Sequence, residues 1–182
     1  MFLGVHSIAI VSPSLRPRTV HRLGEGAWKG LYSLISLVGF VLICYGFGAA
    51  RQAPVVLYSP PIWLRHLALL IMLPVFPLLF AAYLPGRIKT AAKHPMLAAV
   101  KFWALAHLLA NGALADVLLF GGFLIWAVAD RISVKRRPAL RVMQTAPPRA
   151  WNDAVAVVLG LAVYVLLIGW AHARLFGVSP IT

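Results

Sequence analysis

Residues 95–130 read PMLAAVKFWALAHLLANGALADVLLFGGFLIWAVAD, a long apolar stretch between two basic connections. A helix crosses the hydrocarbon core of a bilayer in about 20 residues, and basic connections mark one membrane face. The stretch therefore predicts a helical hairpin, with arms over 96–110 and 113–130 and Asn111-Gly112 as the turn. The alternative is a single long, tilted helix that leaves one basic connection on the other face. The first arm is only about 22 Å long, so the turn needs cover from protein or a cavity.

The rest of the chain also has the composition of a membrane protein. Hydrophobic residues make up 62% of it and charged residues 12%, against about 25% charged residues in soluble domains. Blocks that are long enough to cross a bilayer and free of acidic residues occur at 31–50, 62–84 and 154–171. Pro74 and Pro77 predict a kink in the second block. We therefore predict an all-α, polytopic transmembrane helical bundle of five to six helices, forming a single domain over 1–182.

The N-terminal residues 2–11 form an apolar stretch of only half a span, which ends at Ser12-Pro13-Ser14. Two interpretations remain open for this stretch. It is either the inner half of a helix whose first turns are missing, or a segment that lies in the membrane interface.

The net charge of +13 is concentrated in the connections between the apolar blocks. Lys and Arg gather in residues 12–30, 85–101 and 131–149. The positive-inside rule places these loops on the cytoplasmic face of an inner membrane. Short loops of this kind offer no folded module to read base edges, which argues against nucleic-acid binding. The partner that they predict is the bilayer, with contacts to anionic lipid.

Two of the six histidines lie at membrane depth, where an ionisable side chain indicates a functional site. His6 lies about 9 Å from the cytoplasmic end of its helix, and His107 lies about 16 Å inward on the hairpin. Two imidazoles on different helices at similar depth are suited to ligate one haem iron. Trp103 and Asn111 share the helix face of His107. The alternative is that each histidine bonds a backbone carbonyl or a hydroxyl across a helix contact.

Asp116 is the acidic residue of the second hairpin arm. It is expected either to pair with a basic side chain or to bond His107 or Asn111 across the turn. Cys44 lies inside an apolar block, where a lone thiol packs as a small hydrophobe. The sequence contains no zinc-ligand spacing, P-loop or dinucleotide fingerprint.

Several motifs together resemble the NnrU family over essentially the whole chain. They are Gly4-Val5-His6-Ser7, His94-Pro95-Met96, Trp103-Ala104-Leu105-Ala106-His107-Leu108-Leu109-Ala110-Asn111-Gly112 and Leu119-Phe120-Gly121-Gly122-Phe123. NnrU proteins are bacterial membrane proteins associated with denitrification, specifically with nitrite and nitric oxide reduction. They are related to the plant 15-cis-zeta-carotene isomerase, a membrane haem b enzyme.

The resemblance implies that haem b is ligated by the histidines that match His6 and His107. Ala104 stands where the isomerase has a cysteine implicated in switching the iron ligand, which argues against a thiolate switch in this chain. The family usually has more residues before the Gly-Val-His-Ser motif, which supports a truncated first helix.

Three functions follow as hypotheses. The first is a membrane haem protein, either an isomerase of a lipophilic polyene or a redox factor linked to nitrogen oxides. The second is a non-enzymatic assembly or scaffold factor for respiratory complexes, with a reductase as partner. The third is a methyltransferase that uses S-adenosylmethionine. It rests on His94-Pro95, the small-residue helix that follows and the Asn-Gly turn.

Overall fold

The computed structural model describes residues 1–136 and 149–181, which fold as an all-α bundle. Residues 137–148, within the third basic connection, lie outside the described residues. The helices are α1 (Phe2–His6), α2 (Ile8–Val11), α3 (Leu15–Leu23), α4 (Glu25–Ala50), α5 (Ile62–Met72), α6 (Val75–Tyr83), α7 (Arg87–Ala92), α8 (Pro95–Ala110), α9 (Leu114–Arg136), α10 (Ala150–Leu166) and α11 (His172–Phe176). A π-helical segment, Leu167–Ala171, joins α10 to α11.

Four helical segments in the described part of the chain are long and apolar enough to cross a membrane. They are Glu25–Ala50, Ile62–Tyr83, Leu114–Arg136 and Trp151–Phe176. The large apolar side chains of these segments face outward, whereas the most buried positions are small, such as Ala99, Ala104 and Ala127, each 0% exposed. Small residues at helix contacts and large apolar residues facing lipid are typical of membrane bundles. The predicted polytopic helical bundle is confirmed.

The predicted hairpin is also confirmed. The helix α8 ends at Ala110, α9 begins at Leu114, and the two helices pack against each other. A single long helix over this stretch is therefore excluded. The break falls at Asn111-Gly112, where the sequence places its strongest turn signal.

A segment of the connection between α4 and α5, residues 55–58, lies across the hairpin turn; we call it the tip strap. The backbone N–H groups of Leu57 and Tyr58 donate to the Gly112 carbonyl, at 2.8 and 3.2 Å, and the Leu114 N–H donates to the Val55 carbonyl at 2.8 Å. The Tyr58 hydroxyl shares its one proton between the carbonyls of Leu108 and Asn111. These bonds satisfy carbonyls that the end of α8 leaves without a helical partner. The strap supplies the cover that such a turn requires.

Pro74 and Pro77 interrupt the second span, as predicted. The helix α5 ends at Met72 and α6 begins at Val75. At the break, the Leu73 N–H bonds the Leu70 carbonyl at 3.3 Å instead of the Leu69 carbonyl one residue earlier. The Tyr164 hydroxyl on α10 donates to that Leu69 carbonyl at 3.0 Å. A neighbouring helix thus satisfies the backbone group that the prolines free.

The first two basic connections are more helical than the sequence predicted. Residues 12–30 contain α3 and the start of α4, which meet at Gly24 with a φ of 81°. Residues 85–101 contain α7 and the beginning of α8, so Lys101 lies inside a helix. Lys and Arg are good helix formers, and charge alone does not distinguish a loop from a solvated helix.

The carboxylate of Asp153 at the start of α10 holds the connection between α6 and α7. It accepts hydrogen bonds from the backbone N–H groups of Arg87 and Ile88, at 2.8 and 3.0 Å. The buried Asn152 donates from its amide nitrogen to the Pro85 carbonyl at 2.7 Å. This clasp fixes the start of α10 to the connection between α6 and α7.

Candidate functional site

His6 lies on α1, which packs closely against α4. A Cβ added at Gly39 would come within 2.7 Å of the Phe2 backbone nitrogen, so glycine permits this approach. The imidazole stacks on the Phe2 ring, with 4.2 Å between ring centroids. Tyr32 and Trp126 lie beside it, at centroid distances of 5.4 and 6.2 Å. His6 therefore lies in an aromatic pocket between α1, α4 and α9.

His107 lies on α8 near the hairpin turn, in a second aromatic pocket. Its imidazole stacks on Phe120 of α9, with 4.4 Å between centroids, and lies 5.3 Å from the Trp103 ring. Phe120 is only 5% exposed. The sequence prediction that Trp103 accompanies His107 is therefore consistent with this packing, and Phe120 is an additional partner.

Both histidines are anchored through the same ring nitrogen. The Nδ1 of His6 lies 2.9 Å from the Phe2 carbonyl oxygen, and the Nδ1 of His107 lies 2.8 Å from the Trp103 carbonyl oxygen. A carbonyl only accepts, so each Nδ1 carries the proton and each Nε2 keeps its lone pair. Neither Nε2 makes a hydrogen bond to any residue that the structure describes. This is the tautomer that metal-ligating histidines adopt.

One face of α9 connects the two pockets. Phe120, Phe123 and Trp126 follow one another at three-residue spacing, so their rings lie along one side of the helix. Phe120 contacts His107, Trp126 contacts His6, and Phe123 lies between them, 5.8 Å from Phe2 and 5.4 Å from Trp103. Phe120 and Trp126 are six positions apart, which corresponds to about 9 Å of helix rise. The two imidazoles are thus offset by about two turns along α9.

The Trp126 indole nitrogen is a buried donor without a hydrogen-bond partner among the described residues. Buried polar groups are nearly always satisfied, so such a donor at an aromatic pocket marks a place for a polar acceptor. It lies on the residue that borders His6. The sequence interpretation did not identify this group, although the aromatic spacing on α9 was available to indicate it.

Asn111 and Asp116 take part in the hairpin turn. The Asn111 amide nitrogen donates to the His107 backbone carbonyl at 2.9 Å, and the Asp116 carboxylate accepts from the Ala113 N–H at 3.1 Å. The expected bond from Asp116 to His107 or Asn111 is absent among the described residues, as is an ion pair to it. An acidic residue in the first turn of a helix caps that end and interacts favourably with the helix dipole.

The two imidazoles are the candidate metal donors of the site. No group of three or more His, Cys, Asp or Glu side chains that could hold a metal ion occurs in the described part of the chain. Two neutral imidazoles supply too few ligands for a structural zinc site, but a haem macrocycle brings four nitrogens of its own. Aromatic walls beside each imidazole match the apolar faces of a porphyrin.

Comparison with known proteins gives one family. The protein-family model described as NnrU protein matches residues 1–180. The comparison with curated proteins and that with solved structures each gave no match.

Proposed function

Because this chain belongs to the NnrU family, we propose that it is a membrane protein that binds haem b through the Nε2 atoms of His6 and His107. The observation that carries the proposal is the shared geometry of the two rings. Each is fixed through Nδ1 to the carbonyl one turn earlier on its own helix, and each keeps an Nε2 lone pair in an aromatic pocket. Two such rings, contacted by a common face of α9, are the candidate ligands.

The residues around the rings have definite roles in this proposal. Phe120 and Trp103 pack against His107 and hold its plane, and Phe2 does the same for His6. The Trp126 N–H offers a hydrogen bond to a polar group of the cofactor. When bound, haem supplies a redox-active iron, and the protein orients it and sets its surroundings.

Haem binding and ligation of one iron by both histidines are separate claims. The offset of about 9 Å along α9, with Phe123 between the pockets, is larger than the distance across one six-coordinate iron. Ligation of one iron by both rings would therefore require the aromatic packing between them to change. The two claims are accordingly tested by different measurements.

We propose that the protein acts in bacterial denitrification. It would lie in the inner membrane, with its basic connections in the cytoplasm. Family membership supports the denitrification role, and the charge distribution supports the orientation. Polyene isomerisation has less support. A groove between α8 and α9 is lined by Ala98, Lys101, Phe102, Leu105 and Leu124. Helical spacing puts its α8 residues on the face away from His107.

The test is the haem content of the full chain, purified in detergent after expression with haem supplied. We expect about one haem per chain for the wild type. His107→Ala and His6→Ala should each lose most of that haem. His66→Ala is the matched control, because His66 is an exposed histidine of α5. Full haem content in both site variants would refute the ligand assignment. A haem-free wild type would favour the non-enzymatic assembly factor.

A further inference from the structure

The basic helix α3 carries a recess with a concentrated positive charge. Pro17, Arg18, His21 and Arg22 line it; all four are exposed residues of this one helix, so the recess is shallow and open. Arg18, His21 and Arg22 are spaced three and four residues apart, so they share one helix face. The two guanidinium groups make no hydrogen bond or ion pair with any described residue.

No neighbouring acid along the chain neutralises this recess. Glu25, which follows α3, pairs with Lys29 at 3.0 Å. Like charges one helical turn apart repel, and an anion beside both arginines removes that repulsion. A planar guanidinium binds two oxygens of a phosphate at once, so two arginines on one face suit that group.

The position of α3 in the bundle selects the source of the phosphate. α2 packs against α9, and α4 is a candidate membrane span, so α3 lies at the end of the bundle where lipid headgroups are expected. Leu15 and Leu23, at the two ends of α3, are 42% and 57% exposed. Exposed leucines beside the cations suit a ligand that has an acyl chain as well as a phosphate.

We propose that this recess, the α3 anion site, binds the phosphate of an anionic phospholipid. The site is independent of haem and rests only on the membrane placement of the bundle. A basic residue near a membrane strengthens binding of acidic lipid by a factor of about five, so loss of both arginines should weaken it about 30-fold.

The test uses the full chain in neutral detergent, titrated with phosphatidylglycerol or phosphatidylcholine, with bound lipid counted by native mass spectrometry. The wild type should retain phosphatidylglycerol in preference to phosphatidylcholine. Arg18→Gln/Arg22→Gln should lose that preference. The control Lys135→Gln/Arg136→Gln removes the same charge from exposed residues at the end of α9 and should keep it.

Three outcomes would overturn the proposal. Equal losses in the two double variants would mean that total charge, not the recess, attracts the lipid. Equal retention of both lipids by the wild type would mean that there is no anion site. Displacement of phosphatidylglycerol by inorganic phosphate at equal concentration would assign the site to free phosphate. Thermal unfolding of each variant checks that all are folded, so a loss of lipid is not a loss of structure.

Discussion

Replacing Tyr164 with phenylalanine tests how the bundle tolerates the proline break in its second span. The Tyr164 side chain is 7% exposed, and its hydroxyl is the donor to the Leu69 carbonyl at 3.0 Å. Phenylalanine keeps the ring and its packing but leaves that carbonyl without a donor. Interhelical hydrogen bonds in membrane proteins contribute about 0.6 kcal/mol on average and up to about 1.7 kcal/mol. An unsatisfied buried carbonyl costs about 1–3 kcal/mol. We expect Tyr164→Phe to lower the free energy of unfolding by about 1.5 kcal/mol.

The assay is equilibrium unfolding in mixed micelles, followed by tryptophan fluorescence. Tyr45→Phe is the matched control, because Tyr45 is 78% exposed on α4 and makes no hydrogen bond with described residues. Its substitution should change the free energy of unfolding by less than about 0.5 kcal/mol.

A double-mutant cycle with Pro74→Ala tests the cause. The alanine introduced by this substitution has an N–H that can bond the Leu70 carbonyl, which frees the Leu73 N–H to bond Leu69 as in a regular helix. The cost of Tyr164→Phe should then fall by about 1 kcal/mol in the Pro74→Ala background, a coupling typical of contacting groups. An equal cost in both backgrounds, or a cost no larger than that of Tyr45→Phe, would refute the account of the kink.

Three further predictions concern the two ends of the bundle. Gly112→Ala should lower the free energy of unfolding by more than about 1 kcal/mol, because the added Cβ would overlap the Tyr58 carbonyl. Gly121→Ala is the control for thermal unfolding, because a Cβ at that position meets no atom within 4 Å and should leave stability unchanged. Partial burial and then the charge of Asp116 raise the pKa of Tyr58, so its neutral form is favoured in the folded state. The contribution of Tyr58 to folding stability should therefore be present below a pH of about 10 and be lost as the pH rises further. Melting temperatures measured between pH 8 and 12 should show this loss in the wild type and not in Tyr58→Phe. Asp153→Ala should lower the free energy of unfolding by about 1 kcal/mol and make protease cleave residues 85–92 faster than in the wild type. Unchanged cleavage would argue against the clasp.

The spans and the hairpin follow from the sequence because a bilayer requires about 20 apolar residues per helix. The basic connections and Asn111-Gly112 then leave few ways to connect the spans. Pro74 and Pro77 act through their own backbone, so the kink was also predictable. These features depend on a short window of residues, and hydropathy or turn chemistry reports them directly.

Contacts between distant segments were not predictable in the same way. The tip strap depends on Tyr58 reaching α8, about 50 residues away, and the clasp depends on Asp153 reaching residue 87. For the candidate site, the sequence identified His6 and His107 from their depth. It did not show that Phe120 contacts His107 or that Trp126 contacts His6, because those contacts depend on how α9 is rotated about its axis. The sequence also did not show that the two imidazoles are offset by about two turns along α9, because their depths were counted from estimated helix ends.

The central claim is that both imidazoles ligate one haem iron, and the electron paramagnetic resonance spectrum of the oxidised, haem-loaded full chain tests it most directly. Two imidazole ligands on a ferric haem give a low-spin signal, whereas one gives a high-spin signal. We expect a low-spin signal for the wild type and for His66→Ala, and a high-spin signal from the fraction of haem that a folded His6→Ala retains. A high-spin wild type, or a low-spin signal that persists in His6→Ala, would contradict it.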